Sequence, residues 1–247
     1  MIAASPADTP ITTRHQNPGR MGLLLEVGFL LAVLVGTKLI FDQIVWRYAG
    51  PISLGITLAV LAMIMAWRGE SRATLGLIRL KRWWSAPLIL PQAILGVIAI
   101  LAAGTGVAFA GDFLGFWSLE GDQEGIDARF GDIVGNLPVY LGWLALTWTS
   151  AAIGEEVFFR GYLINRIGRI LPDARWGQVL SVMIPAFIFG MVHVYYQGIP
   201  GLIQTGLIGA ALGTLYLVYK RNLWPLILAH GAVNTLSFTT LYLGLDI

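Results

Sequence analysis

Cysteine is absent from the 247 residues. That excludes disulfides, a thiolate nucleophile and cysteine metal ligands. Charge is scarce as well: Asp, Glu, Lys and Arg make up 12% of the chain, against roughly 25% in an ordinary soluble domain. Histidine occurs three times, so each one placed in an apolar stretch carries information. What fills the space is hydrophobic, 56% of all positions. The length would suit one or two soluble domains, but the apolar residues come in blocks near the ~20 that a helix needs to cross hydrocarbon. The formal net charge of +2 comes from basic residues scattered through short loops, which argues against a nucleic-acid partner and for the lipid bilayer.

Apolar blocks run over 22–46, 52–67, 87–111, 137 to beyond 153, 179–194, 199–219 and 223–244. The expected fold is therefore all-α, a polytopic transmembrane bundle of about seven to eight helices. Arg14 and Arg20 precede the first block, but no small-residue cleavage site closes a short hydrophobic core, so this block reads as a retained span. The stretch from Arg68 to Trp84 carries five basic residues among Leu and Ile and reads as an interfacial loop, a short surface helix or a plain connector. Lys and Arg alternate from side to side: Arg14, Arg20, the 68–82 loop, the 160–175 stretch, Lys220 and Arg221 fall on one side, while Arg47 and Arg129 fall opposite. Basic loops stay cytoplasmic. The N-terminus is accordingly predicted inside and the C-terminus outside, in the cell (plasma or inner) membrane. Arg129 shares its loop with Asp112, Glu120, Asp122, Glu124, Asp127 and Asp132, which suits an external, solvated segment. The resulting division is a cytoplasmic tail over 1–20, N-terminal transmembrane helices and loops over 21–135, and motif-bearing helices over 136–247. Gly209 with Gly213, and Gly111 with Gly115, stand at the spacing that lets helices approach closely.

An ionisable residue in mid-span costs about 2.5 to 3.5 kcal/mol on insertion scales and normally has a partner or a task. In the first block, Glu26, Lys38 and Asp42 read as structural, with Lys38 and Asp42 four apart as an ion pair. The second half holds three constellations on separate spans. Glu155, Glu156 and Arg160 stand in Ala-Ala-Ile-Gly-Glu-Glu-Val-Phe-Phe-Arg-Gly; Glu156 and Arg160 are four apart, and Glu155 is turned by about 100° to another face. Phe189 and His193 are four apart in the fifth block. His230 and Asn234 stand a turn apart on the last. Singly, a histidine or a Glu-Arg pair is usually a packing or bridging feature. Together they bring carboxylates, imidazoles and an amide into one apolar region, which points to function.

The set Glu-Glu-x-x-x-Arg, Phe-x-x-x-His and His-x-x-x-Asn, in that order, resembles the CAAX protease and bacteriocin-processing family of intramembrane peptidases, which includes type II CAAX prenyl endopeptidases and abortive-infection proteins. The resemblance covers roughly 137–244 and fills every motif position. It implies hydrolysis of a peptide bond of a membrane-associated protein or peptide, in a cavity enclosed by helices. It further implies Glu155 as general base on a water that His193 also holds, His230 and Asn234 as oxyanion donors, and Glu156, Arg160 and Phe189 as residues that order the site.

Amide hydrolysis needs a nucleophile, a proton acceptor and donors aimed at developing negative charge, and the three motifs with a bound water supply one of each. No cofactor is required in that reading; the alternative is a zinc metalloendopeptidase with Glu155, His193 and His230 as ligands and an open position for water. No His-Glu-x-x-His helix, Gly-x-Gly-Asp motif or Gly-x-Ser-x-Gly elbow is present. The competing reading is a non-catalytic membrane protein, either a transporter or proton relay or a scaffold. Counted at about 1.5 Å per residue, His193 lies farther from its basic flank than His230 or Glu155 do from theirs, so convergence requires a tilted fifth helix or a kink at Pro185.

Overall fold

The computed structural model describes residues 18–78, 87–117 and 124–245. The first 17 positions of the expected tail, the 79–84 part of the basic stretch, and Glu120 and Asp122 lie outside them. Every regular element among the described residues is helical: α1 (Arg20–Val45), α2 (Ala49–Arg68), α3 (Ile89–Phe113), the short α4 (Glu124–Phe130), α5 (Leu137–Leu146), α6 (Asn165–Ile170), α7 (Arg175–Met191), α8 (Val194–Val218) and α9 (Trp224–Tyr242). Between α5 and α6 the rod continues as a π-helix over Thr147–Ile164. The all-α bundle expected from the apolar blocks is what the chain forms.

Among the described residues, four segments are long and apolar enough to cross a membrane: Arg20–Arg68, Ile89–Phe113, Leu137–Ile170 and Val194–Val218. The first is a helical hairpin, α1 and α2, reversing where Val45 leaves helical geometry and Trp46–Tyr48 makes a 3₁₀ turn. Only 22 to 33% of each apolar window is buried within the protein. Side chains such as Phe29, Leu39, Leu90 and Phe187 are exposed, and surface of that kind is stable only against lipid. The protein is an integral membrane protein.

The bundle packs α1 along α2, α7 along α8, and α3 against both α8 and α9, with the π-helix against α9, α2 and α7. Small residues set these distances, as glycine spacing suggested for one pair and not for the other. Gly209 lies against Ala186 and Phe189, and Gly213 against Val182. Gly111 instead faces the ring of Trp117, and Gly115 lies beyond the end of α3 at φ 73° with open space around it. It terminates a helix there because a left-handed residue cannot continue one. The break in α8 at Gly198 (φ 63°, ψ −161°) leaves Val194–Gln197 as a single turn, so the long rod starts near Ile199, where the apolar run starts.

Both ends of the bundle are fastened by ion pairs. At one end, Gly69 (φ 67°) closes α2, donating to Ala66 O while Glu70 N–H donates to Met65 O; this turn points Glu70 back at α6. Arg166 Nη2 donates to Glu70 Oε2 at 2.5 Å and its Nε to Glu26 Oε1 at 3.2 Å. Tyr162 Oη–H donates to the same Glu26 oxygen, and Arg68 pairs with Glu26 Oε2. Two carboxylates and two guanidinia thus neutralise each other beneath the 69–78 turn. That turn is tied to the α8–α9 connection by Leu223 N–H to Gly76 O and Trp224 Nε1–H to Ile78 O, both at 3.0 Å. At the opposite end, Arg47 holds Asp132 at 2.6 Å, and Lys38 holds Asp42 at 2.5 Å as the i, i+4 spacing suggested.

Glu26 is 6% exposed and serves both guanidinia, so removing it breaks a buried pair and leaves Arg166 and Arg68 sharing Glu70 alone. Glu26→Ala is expected to destabilise the protein by about 3 to 5 kcal/mol, measured as a lowered unfolding midpoint of purified protein in detergent; an unchanged midpoint would contradict the assignment.

Candidate active site

The π-helix carries the first constellation. Wide i→i+5 winding is rare and concentrates at functional positions; here it spans Thr147–Ile164 and so includes both glutamates and Arg160. Glu156 and Arg160 are 0% and 1% exposed. Arg160 Nη1–H donates to Glu156 Oε1 at 2.9 Å, and the guanidinium sits over the Phe189 ring at 4.5 Å. The same Glu156 oxygen lies 2.9 Å from His230 Nδ1. A carboxylate oxygen only accepts, so Nδ1 carries the proton and Nε2 points away from Glu156. Nε2 lies 3.9 Å from Glu155 Oε2. Glu155 itself keeps 20% of its side chain exposed, consistent with its different face.

His193 sits in the turn between α7 and α8. Its Nδ1 is 2.7 Å from Phe189 O. A carbonyl cannot donate, so the proton is again on Nδ1, and Nε2 of the neutral ring is a free acceptor. Phe189 is the common wall: its ring lies 4.7 Å from that of His193, 6.5 Å from that of His230 and 5.0 Å from that of Phe159. Helix α9 is seated by Trp148, whose indole N–H donates to Thr235 Oγ1 at 3.1 Å. The same ring covers Gly231, where an added Cβ would come within 2.5 Å. Close seating of that kind fixes the level of His230. Asn234, one turn further along, is half-buried.

Glu155 and His193 line one cavity of about 100 Å³. The π-helix and the end of α7 thus meet at one cavity, and α7 runs helically through Pro185. His230 approaches Glu155 from beside the cavity, and neither it nor Asn234 forms part of the cavity wall. Among the described residues no group of three or more His, Asp or Glu side chains is disposed to hold a metal ion.

Sequence reasoning missed Arg129, placed above in a solvated external loop. It is 6% exposed and lines the cavity with Trp143, Tyr195 and Tyr196. Its loop is folded over the bundle end by Arg47, which donates to Ala128 O at 3.1 Å as well as binding Asp132. The acidic surroundings of Arg129 in sequence concealed this. The signal available was the aromatic pair Tyr195 and Tyr196 directly after His193, a lining that a cation can enter.

Residues 137–236 match the family model described as type II CAAX prenyl endopeptidase Rce1-like. The matched segment starts at the first residue of α5, ends two positions beyond Asn234, and contains all three constellations. It bears out the family resemblance drawn from the motifs over the stretch that carries them. No curated protein and no solved structure matches the chain.

The geometry separates two adjacent glutamates by task, one tying helices together and one facing a cavity. Glu156→Ala is expected to cost about 3 to 5 kcal/mol because Arg160 is left buried without its counter-charge. Glu155→Ala is expected to cost about 1 kcal/mol or less. Paired unfolding curves of the two variants check this, and equal losses would contradict it.

Proposed function

We propose that the protein is an intramembrane endopeptidase in which Glu155 activates a water for attack on a peptide bond of a membrane-associated protein or peptide. The observation that carries this reading is the meeting of the Glu155 carboxylate and the His193 imidazole in one cavity, with His230 Nε2 beside the same carboxylate. The matched family supports the reaction class.

In the proposed reaction, Glu155 takes one proton of a water while His193 Nε2 accepts a hydrogen bond from the other, and the water oxygen bonds to the carbonyl carbon. The carbonyl oxygen becomes an oxyanion. As an imidazolium, His230 would present Nε2–H to it, and the Asn234 amide supplies a second donor. Collapse of the intermediate breaks the C–N bond, and the proton held by Glu155 passes to the leaving amine. Glu156, Arg160 and Phe189 order the site: the first fixes the His230 ring, the second offsets the charge of the first, and the third sets the spacing of both imidazoles. Every step runs through side chains of this chain and water.

The placement of basic residues supports a cytoplasmic N-terminus in the cell membrane. The hairpin and the helices that follow then put Arg68, Arg166 and Lys220 at the cytoplasmic end, and the loop of Arg129 together with the cavity toward the other. The substrate is a peptide at the membrane, whether a CAAX-type terminus or a bacteriocin-type leader.

Purified protein in lipid nanodiscs, offered a library of membrane-anchored peptides, is expected to release fragments detectable by mass spectrometry. Glu155→Gln is expected to lower that release by about 10²-fold or more. Release that persists undiminished in the variant would remove the peptidase reading.

A further inference from the structure

Arg129 is a buried cation that shares its cavity with the Glu155 carboxylate but is held mainly by aromatic rings. Its Nη1 hydrogen-bonds to the Tyr195 hydroxyl, and its Nε is buried without a hydrogen-bond partner. Among the described residues no carboxylate forms an ion pair with it; Asp132, three positions on, is engaged by Arg47. Four rings surround the guanidinium, with centroids at 4.5 Å for Tyr196, 5.1 Å for Phe130, 5.2 Å for Tyr195 and 5.9 Å for Trp143. Aromatic faces attract a cation, but they do not satisfy its five directional N–H donors. The Nη2 side faces Gly50, where even an added Cβ would stay 3.8 Å away. Gly50 and Arg129 both belong to the wall of the cavity that holds Glu155 and His193.

A planar guanidinium held by rings, with donors left over on the side of a cavity, fits one ligand chemistry above others: a carboxylate taken through two parallel N–H···O bonds. We infer that Arg129 binds a carboxylate of the peptide substrate inside this cavity. The inference rests on the peptidase reading for the identity of the ligand as a peptide. It adds what the site selects, which is a negative charge close to the bond presented to Glu155. That carboxylate is supplied either by the free C-terminus of the peptide or by an Asp or Glu side chain. Desolvated by Trp143, Tyr195 and Tyr196, the pair is worth more than one formed in water.

The test uses the full chain in nanodiscs with Glu155→Gln as the background, so that binding is read without cleavage. Four myristoylated tetrapeptides serve as probes: one with a free C-terminus and its C-terminal amide, and, both amide-ended, one with a central Glu and its Gln counterpart. Calorimetric titration is expected to show the charged member of one pair binding about tenfold more tightly than its neutral twin, the scale of one charge-assisted contact. Discrimination in the first pair alone identifies the C-terminus as the source; discrimination in the second alone identifies a side chain. Adding Arg129→Gln is expected to bring the ratio to about one, and Arg129→Lys to retain part of it. A residue that merely held its loop in place would leave the ratio unchanged. Equal binding or no binding in both pairs, or a ratio that survives Arg129→Gln, overturns the inference. Discrimination through Arg129 without cleavage by the intact chain would leave the recognition standing and remove the peptidase reading; Glu155-dependent cleavage without discrimination would do the reverse.

Discussion

One oxygen atom organises the motif-bearing half of the molecule. Glu156 Oε1 accepts from Arg160 within its own helix and from His230 on α9, each at 2.9 Å. In an apolar interior, a carboxylate bound to one donor is an expensive object, and one bound to two is a joint. Phe189 then closes the third side by lying under the Arg160 guanidinium while its ring meets both histidines. Remove the shared oxygen, and the π-helix and α9 keep their apolar contacts and the Trp148–Thr235 bond but lose the hydrogen bond that holds the His230 ring beside Glu155.

The polar groups of this membrane protein are segregated with some care. Glu26, Arg68, Glu70 and Arg166 cancel one another at one end, where Tyr162 extends the network to the π-helix. The Glu156 and Arg160 pair cancels in the middle. What is left uncancelled, Glu155 on one wall and Arg129 on another, lines a single cavity.

Much of this was legible in the sequence, for physical reasons that differ by element. Apolar runs of membrane length can only be helices, because lipid offers no partners to the backbone, so α1, α2, α3 and the rod of α8 follow from composition alone. The Lys38–Asp42 and Glu156–Arg160 pairs follow from i, i+4 spacing. The three constellations could be grouped because their order and spacing resemble a family, and the matched segment agrees. What could not be read was the π winding of Thr147–Ile164, which depends on how neighbouring helices pack and leaves the residue pattern unchanged. Arg129 was hidden for the opposite reason: its local sequence is acidic and loop-like, and its burial depends on Arg47, 82 positions earlier, drawing the loop down. Gly115 carried the spacing of a packing glycine and serves instead to end α3, since spacing does not reveal backbone handedness.

The seating of α9 has a bearing on biogenesis. Its Gly231 accepts the Trp148 ring and its His230 completes the hydrogen bonding of Glu156, yet α9 leaves the ribosome after the helices it joins. Until it enters the bilayer, the π-helix holds a carboxylate neutralised from one side only, and Glu155 has no imidazole from α9 beside it. A nascent chain halted anywhere before Trp224 would thus lack the joint between Glu156 and His230.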